Sequence, residues 1–267
     1  MSIAPNPIVA EQASAPKKRL LIEPHVTEDN LVVWRHRGTS GRLILCFTGI
    51  GAKTDPVPGI EFASIASNGG KDNVLFIIDP YRTWLNADGL IDRILEVVED
   101  FAEEIGVQEY LTLGHSMGGY AAIIMSAYLP VKNAVALSPQ FSVHPDIVGD
   151  DPRWMYHRND IRTHRITSVA DHMVENTNYH VFHGAMDVER PQRDRFPVAS
   201  NLAHWIVPDV AHAVPQRLRG MGLLNDVVRA SFGNRIKKVR LLLSPLGGQR
   251  RELEHYPALA PFAEVSS

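Results

Sequence analysis

The sequence of 267 residues has one cysteine, a small net charge and no long hydrophobic run. Because Cys46 is alone, no disulfide can form within the chain. A spanning helix needs roughly 18 consecutive apolar residues, and no stretch approaches that length. The formal net charge of -3 lacks the basic excess typical of nucleic-acid binders. We therefore expect no nucleic-acid partner and no membrane partner.

The first 18 residues are polar and interrupted by prolines, and they lack the apolar centre of a secretion signal. They are predicted to be a disordered leader, and the protein is expected to be soluble and cytoplasmic. The length fits one large domain, predicted over residues 19–235. Residues 236–267 are predicted to form a C-terminal tail. The sequence leaves the oligomeric state open.

Short apolar runs alternate with amphipathic segments along this domain. The nearly continuous apolar run at residues 73–79 is typical of a strand buried on both faces of a parallel sheet. Residues 87–105 have apolar side chains at helical spacing and are followed by Gly106. This alternation predicts an α/β fold with a mostly parallel central sheet of about eight strands and helices on both faces. Residues 141–165 are polar, aromatic and irregular, and they are predicted to form a small lid.

A G-x-S-x-G motif stands at residues 114–119, which read GHSMGG. The β-prone run YLTL precedes the motif, and the alanine-rich segment YAAIIMSAY follows it. This strand–turn–helix setting is the one in which a sharp turn exposes a nucleophilic serine, here Ser116. The glycines let the strand and the helix approach each other closely. A serine that only caps the helix is the alternative interpretation.

The motif and its setting resemble the α/β-hydrolase superfamily of serine hydrolases over residues 43–218. The resemblance implies an α/β-hydrolase fold in which the catalytic residues follow the chain order serine, acid, histidine. It also implies that no metal or organic cofactor takes part.

The acid of this triad is predicted to be Asp187. No carboxylate follows the predicted strand at 134–137, where the chain reads SPQ. After the next strand, HGAMD places Asp187 three residues past a glycine, which matches the family's usual G-x-x-D. Its carboxylate would hold the histidine in the correct orientation. The rival acids are Glu189, Asp209 and Asp79, of which Glu189 is the closest.

The general base is predicted to be His212, although the chain contains 12 histidines. Only His212 lies in a loop just beyond the last predicted strand, which is the family's position for this residue. There it can take the proton of Ser116 and return it to the leaving group. His115 and His204 are interpreted as structural.

The oxyanion hole is predicted from the chain after the strand at 43–47, which continues Thr-Gly-Ile-Gly where the family often has His-Gly-x-Gly. The backbone N–H groups of Ile50 and Met117 are the predicted donors. The substrate-binding residues are predicted to be aromatic and basic side chains at the carboxyl edge of the sheet and in the lid. They are Tyr81, Trp84, Trp154 and Arg158.

These residues predict a serine esterase that cleaves an acyl ester through an acyl-serine intermediate. The segments GHSMGGYAA and ALSPQ also resemble small bacterial hydrolases of surface-glycan metabolism. That resemblance implies a small-molecule or glycan ester, such as an acylated carbohydrate, as the substrate. The alternatives are an acyltransferase that uses the same triad and a non-catalytic binding protein on the same fold.

Overall fold

The computed structural model describes residues 20–52 and 55–259. In this part of the chain, one nine-stranded sheet has the order β1-β2-β4-β3-β5-β6-β7-β8-β9. The strands are β1 (Glu23–Thr27), β2 (Val32–His36), β3 (Arg42–Phe47), β4 (Asn73–Ile78), β5 (Glu109–His115), β6 (Val131–Leu137), β7 (Asn178–Gly184), β8 (Leu202–Val207) and β9 (Gln249–Arg250). Strands β3 to β8 are parallel, whereas β1, β2 and β9 pair antiparallel at the two edges.

Helices cover both faces of the sheet. They are α1 (Ala63–Ala66), α2 (Leu90–Ile105), α3 (Met117–Ile124), α4 (Pro145–Val148), α5 (Met155–Arg158), α6 (Arg190–Arg193), α7 (Val214–Gly220), α8 (Leu224–Phe232) and α9 (Ile236–Leu243). The predicted fold class is confirmed, with nine strands in place of about eight. Helix α2 begins three residues later than predicted because Gly89 has a left-handed φ of 68°, which an α-helix cannot include.

Two hydrophobic cores lie on the two faces of the sheet. Alternate side chains of β3 supply them: Leu43 and Leu45 pack on the face covered by α2 and α3, whereas Ile44 and Cys46 pack on the face covered by α8. This alternation follows from the two-residue period of a strand. Cys46 is fully buried, and burial raises the pKa of its thiol. The cysteine therefore acts as a small core residue.

The segment predicted to be a C-terminal tail takes part in the folded domain. Helix α9 packs against α8, and β9 extends the sheet beside β8. Val239 and Leu243 of α9 are completely buried. The domain boundary predicted at residue 235 therefore falls between two packed helices. The predicted leader, residues 1–18, lies outside the described residues.

The predicted lid segment, residues 141–165, connects β6 to β7 and contains α4 and α5. Four of its apolar side chains belong to the core or pack at its border, which anchors the segment on the domain. They are Phe141, Val143, Val148 and Ile161. No helix among the described residues has the length and apolar character required to cross a membrane.

Candidate active site

Ser116 lies on the sharp turn between β5 and α3. Its backbone has φ 57° and ψ -123°, a strained conformation for a residue with a side chain. A Cβ atom on Gly114 would lie 2.1 Å from the carbonyl of Gly118, and one on Gly118 would lie 2.2 Å from the carbonyl of Phe47. Only glycine therefore allows this approach of helix and strand. The structure thus forms the turn that the motif predicts.

The side chain of Ser116 is held by a hydrogen bond from Gln140, three residues after the end of β6. Gln140 Nε2 donates to Ser116 Oγ at 3.1 Å, and Trp84 Nε1 donates to Gln140 Oε1 at 3.0 Å. Because an indole can only donate, it fixes which end of the amide faces Ser116. His183 Nε2 also donates to the carbonyl of Pro139 at 2.9 Å. Ser116 Oγ therefore accepts from Gln140, and its own proton remains available to another group.

The structure places Glu189, and not Asp187, beside the predicted base. His212 Nδ1 lies 3.6 Å from Glu189 Oε2, slightly longer than a hydrogen bond. Both acids belong to one 3₁₀ turn after β7, Asp187–Glu189, in which successive side chains point in different directions. Asp187 is exposed, whereas Glu189 is completely buried. Glu189, the closest rival of Asp187, therefore takes the place beside His212 that the sequence predicts for Asp187.

The carboxylate of Glu189 is ionised in spite of its burial. Burial alone would raise its pKa, but the contact with His212 and the charge of Arg153 outweigh that effect and hold the pKa at about 2. Arg153 Nη1 donates to Glu189 Oε1. The other oxygen, Oε2, remains directed at His212. A buried anion next to the imidazole can orient it and stabilise its protonated form.

His212 is placed by contacts to its ring and to its backbone. His115 Nε2 donates to the carbonyl of His212 at 3.1 Å, which supports the structural interpretation of His115. Burial lowers the pKa of His115 to about 4, so this neighbour stays neutral near pH 7. The ring of Trp154 lies 4.8 Å from that of His212. Neither ring nitrogen of His212 has a hydrogen-bond partner within residues 20–52 and 55–259.

The loop after β3 lies against the nucleophile. A Cβ atom on Gly49 would be 3.8 Å from the Cβ of Ser116. The N–H of Gly49 donates to Glu61 Oε2 at 2.9 Å, and the carbonyl of Ile50 accepts from Arg82 Nε at 2.8 Å. These bonds fix the loop on both sides of the Ile50 N–H group.

The two predicted oxyanion-hole donors are the backbone N–H groups of Ile50 and Met117. Met117 is the first residue of α3, where an N–H group has no acceptor within the helix. In the described segments, no hydrogen bond is made by the N–H of Ile50 or Met117.

The predicted substrate-binding residues occupy different environments. Tyr81 is 54% exposed beside a groove of about 610 Å³. Trp84 is completely buried, donates a hydrogen bond to Gln140 and lines a small cavity together with Met117. Arg158 is also buried. Its guanidinium donates to the backbone carbonyls of residues 148 and 151 of the lid, and these bonds compensate for the burial. Trp154 reaches the site and contacts His212.

The sequence interpretation assigned no catalytic role to Arg153 or Gln140. The available signals were the Arg-Trp pair at 153–154 and the chain SPQ after β6, which was noted only for its lack of a carboxylate. Within the described segments, no cluster of three or more His, Cys, Asp or Glu side chains is placed to hold a metal ion.

Comparison with known proteins adds evidence on the fold alone. No protein-family model matches the chain. No curated protein matches it either. A putative esterase from Staphylococcus aureus is similar in structure, with a TM-score of 0.55 and 15% identity over 82% of this chain and 87% of the other. An esterase of the bacterial hormone-sensitive lipase family gives a TM-score of 0.55 and 14% identity over 83% of this chain and 86% of the other.

A third similar structure is the Glycosylation Associate Protein (Gap123) complex from Streptococcus agalactiae. Its TM-score is 0.53 with 14% identity over 77% of this chain, and the match spans 45% of the other chain. Identities this low are informative about architecture only. Together with the strand order and the turn at Ser116, these neighbours show that the chain has the α/β-hydrolase fold.

Proposed function

We propose that this protein is a serine hydrolase that cleaves an acyl ester, with Ser116 as the nucleophile, His212 as the base and Glu189 as the acid. The observation that carries the proposal is the pairing of His212 with the buried, ionised Glu189 in a fold that holds Ser116 on a strained turn. Backbone strain and a buried carboxylate are both costly, and they are typical of functional sites.

The proposed reaction has two halves. In the first, Ser116 Oγ attacks the ester carbonyl while its proton passes to His212 Nε2, and the N–H groups of Ile50 and Met117 bind the oxyanion. The C–O bond of the ester then breaks, and His212 gives the proton to the departing alcohol. In the second half, His212 takes a proton from water, and the resulting hydroxide attacks the acyl carbon. The bond from that carbon to Ser116 Oγ then breaks, and His212 returns the proton to the serine oxygen. Glu189 stabilises the imidazolium in both halves.

The nature of the alcohol is a further part of the proposal. The resemblance to hydrolases of surface-glycan metabolism supports an acylated carbohydrate. The name of the similar Streptococcus agalactiae protein, which refers to glycosylation, agrees with that substrate class. An acyltransferase would form the same acyl-serine and pass it to an alcohol instead of water. The two activities therefore differ only in the acceptor.

A panel of esters tests the proposed activity. We expect the protein to release acid from p-nitrophenyl acetate, butyrate and octanoate and from acetylated sugars, with one acyl length preferred. Sugar alcohols added at a constant enzyme concentration distinguish hydrolysis from acyl transfer. A transferase would form a new sugar ester and release correspondingly less free acid. If the folded protein turns over none of these esters, the proposed function is wrong.

Gln140 offers a second test, because its amide donates to the reacting oxygen. Gln140→Leu should lower kcat about 2- to 10-fold, since one hydrogen bond contributes about 0.5–1.5 kcal/mol. Gln140→Glu should lower kcat further, because a carboxylate would accept the hydroxyl proton of Ser116 and compete with His212. The measurement is kcat on p-nitrophenyl acetate.

The matched control is Gln216→Leu, because Gln216 is exposed on α7. This variant should keep the wild-type kcat. If Gln140→Leu and Gln140→Glu do the same, the hydrogen bond to Ser116 has no role in the reaction.

A further inference from the structure

We infer that the lid is part of the catalytic unit: Arg153 is a positioning residue for Glu189, and Trp154 supports the protonated form of His212. This inference rests on the proposed function. It assigns the two lid residues to the chemical step, whereas a lid that only selects substrate would act on binding.

Arg153 joins two buried carboxylates. Its Nε and Nη2 atoms donate to the two oxygens of Asp151 at 2.8 Å and 3.0 Å, and its Nη1 donates to Glu189. Asp151 and Glu189 are both completely buried. A buried charge without a partner is strongly destabilising, so each carboxylate depends on this guanidinium. An arginine that only binds substrate needs free N–H donors, whereas the Nε, Nη1 and Nη2 atoms of Arg153 all donate to these two carboxylates.

The bond from Arg153 also determines how Glu189 faces the base. A carboxylate has two oxygens, and Arg153 takes Oε1, which leaves Oε2 opposite His212 Nδ1. Rotation of the carboxylate would break the bond to the lid. The orientation of the imidazole therefore depends on Arg153 through Glu189.

The position of Arg153 is itself fixed by the domain. Gln192 of α6 donates from Nε2 to Asp151 at 2.9 Å. The Oε1 atom of Gln192 accepts from the N–H of Phe141 at 2.7 Å, next to Gln140. The same network thus reaches the segment that holds Ser116.

Trp154 contacts both the base and the guanidinium. Its ring centroid lies 4.8 Å from that of His212, and the guanidinium carbon of Arg153 lies 4.4 Å from the ring. The backbone of Trp154 has a left-handed φ of 58°, which is unfavourable for a bulky residue. Aromatic faces attract cations, so the ring favours the imidazolium that forms when His212 takes a proton.

The charges in this cluster suit a protonated base. Asp151 and Glu189 contribute two negative charges and Arg153 contributes one positive charge, so the three side chains carry a net charge of about -1 near pH 7. Protonation of His212 would neutralise the cluster in a partly buried site. Two cationic groups then face Glu189, the guanidinium of Arg153 and the imidazolium of His212, and the lid supplies the first of them.

The test measures kcat and KM on p-nitrophenyl acetate, an ester that is too small to need the lid for binding. Arg153→Met should lower kcat about 100-fold with little change in KM. Arg153→Lys should lie between this variant and the wild type, because one ammonium cannot reproduce all three bonds. Trp154→Leu should lower kcat about tenfold, and Trp154→Phe should lower it less. The control is Arg162→Met, because Arg162 is an exposed arginine of the same lid and should keep the wild-type kcat.

A double variant separates positioning from a general structural role. If Arg153 acts through Glu189, the variant with both Arg153→Met and Glu189→Gln should be as slow as Glu189→Gln alone. Multiplied losses would overturn the inference, as would an unchanged kcat in Arg153→Met or an effect confined to KM. If Arg153→Met does not fold, Arg153→Lys gives the same comparison. An inactive wild type would overturn the proposed function and this inference with it, whereas an active wild type with unaffected variants would overturn the inference alone.

Discussion

Glu189→Gln is expected to lower kcat on p-nitrophenyl acetate by about 10³- to 10⁴-fold, the loss typical of a triad without its acid. The neutral amide cannot stabilise the imidazolium, and its NH₂ group would donate toward His212 Nδ1 and favour the wrong tautomer. Because the pKa of Glu189 is held at about 2, the wild-type carboxylate stays ionised at every pH at which the assay is run.

Asp187→Asn is the matched control, because it makes the same chemical change two residues away on the same turn. Asp187 is exposed, so this variant should keep a kcat within about twofold of the wild type. Circular dichroism and thermal unfolding should show that both variants are folded. A large loss in Asp187→Asn with little loss in Glu189→Gln would restore the acid that the sequence predicts.

The turn at Ser116 and the loop position of His212 were accessible to sequence analysis because local signals define them. The GHSMGG motif specifies its turn through steric contacts of its own glycines, and His212 follows the last parallel strand of the domain. The fold class followed from the alternation of buried strands with amphipathic helices. The turn, the position of His212 and the alternation of strands and helices can all be identified from short stretches of neighbouring residues.

The carboxylate beside His212 and the lid contacts were not accessible in this way. Asp187 and Glu189 are two residues apart, and only the 3₁₀ turn decides which side chain points inward. Similarly, Arg153 and Arg158 belong to the same lid, but the backbone around α5 directs one toward Glu189 and the other toward lid carbonyls. Trp84 is buried, and whether an aromatic side chain near a site packs inward or outward depends on tertiary neighbours that the local sequence does not specify.

Ser116→Ala is expected to have the largest effect of all, a loss of about 10⁶-fold in kcat. The change removes the oxygen that forms the acyl bond, and neither His212 nor the oxyanion hole can replace it. Some acceleration over the reaction in water should remain, because the oxyanion hole still binds the transition state. The variant should fold, although the buried amide of Gln140 loses its acceptor and about 1–3 kcal/mol of stability with it.

Labelling with a fluorophosphonate, followed by mass spectrometry of the peptides, tests most directly whether Ser116 is an activated nucleophile. The probe forms a covalent bond with a serine oxygen only where a base removes its proton. We predict that the folded wild type is modified at Ser116 and that Ser116→Ala is not modified at all. Modification of the wild type at another residue, persistent labelling of Ser116→Ala, or no labelling of the folded wild type would contradict the account.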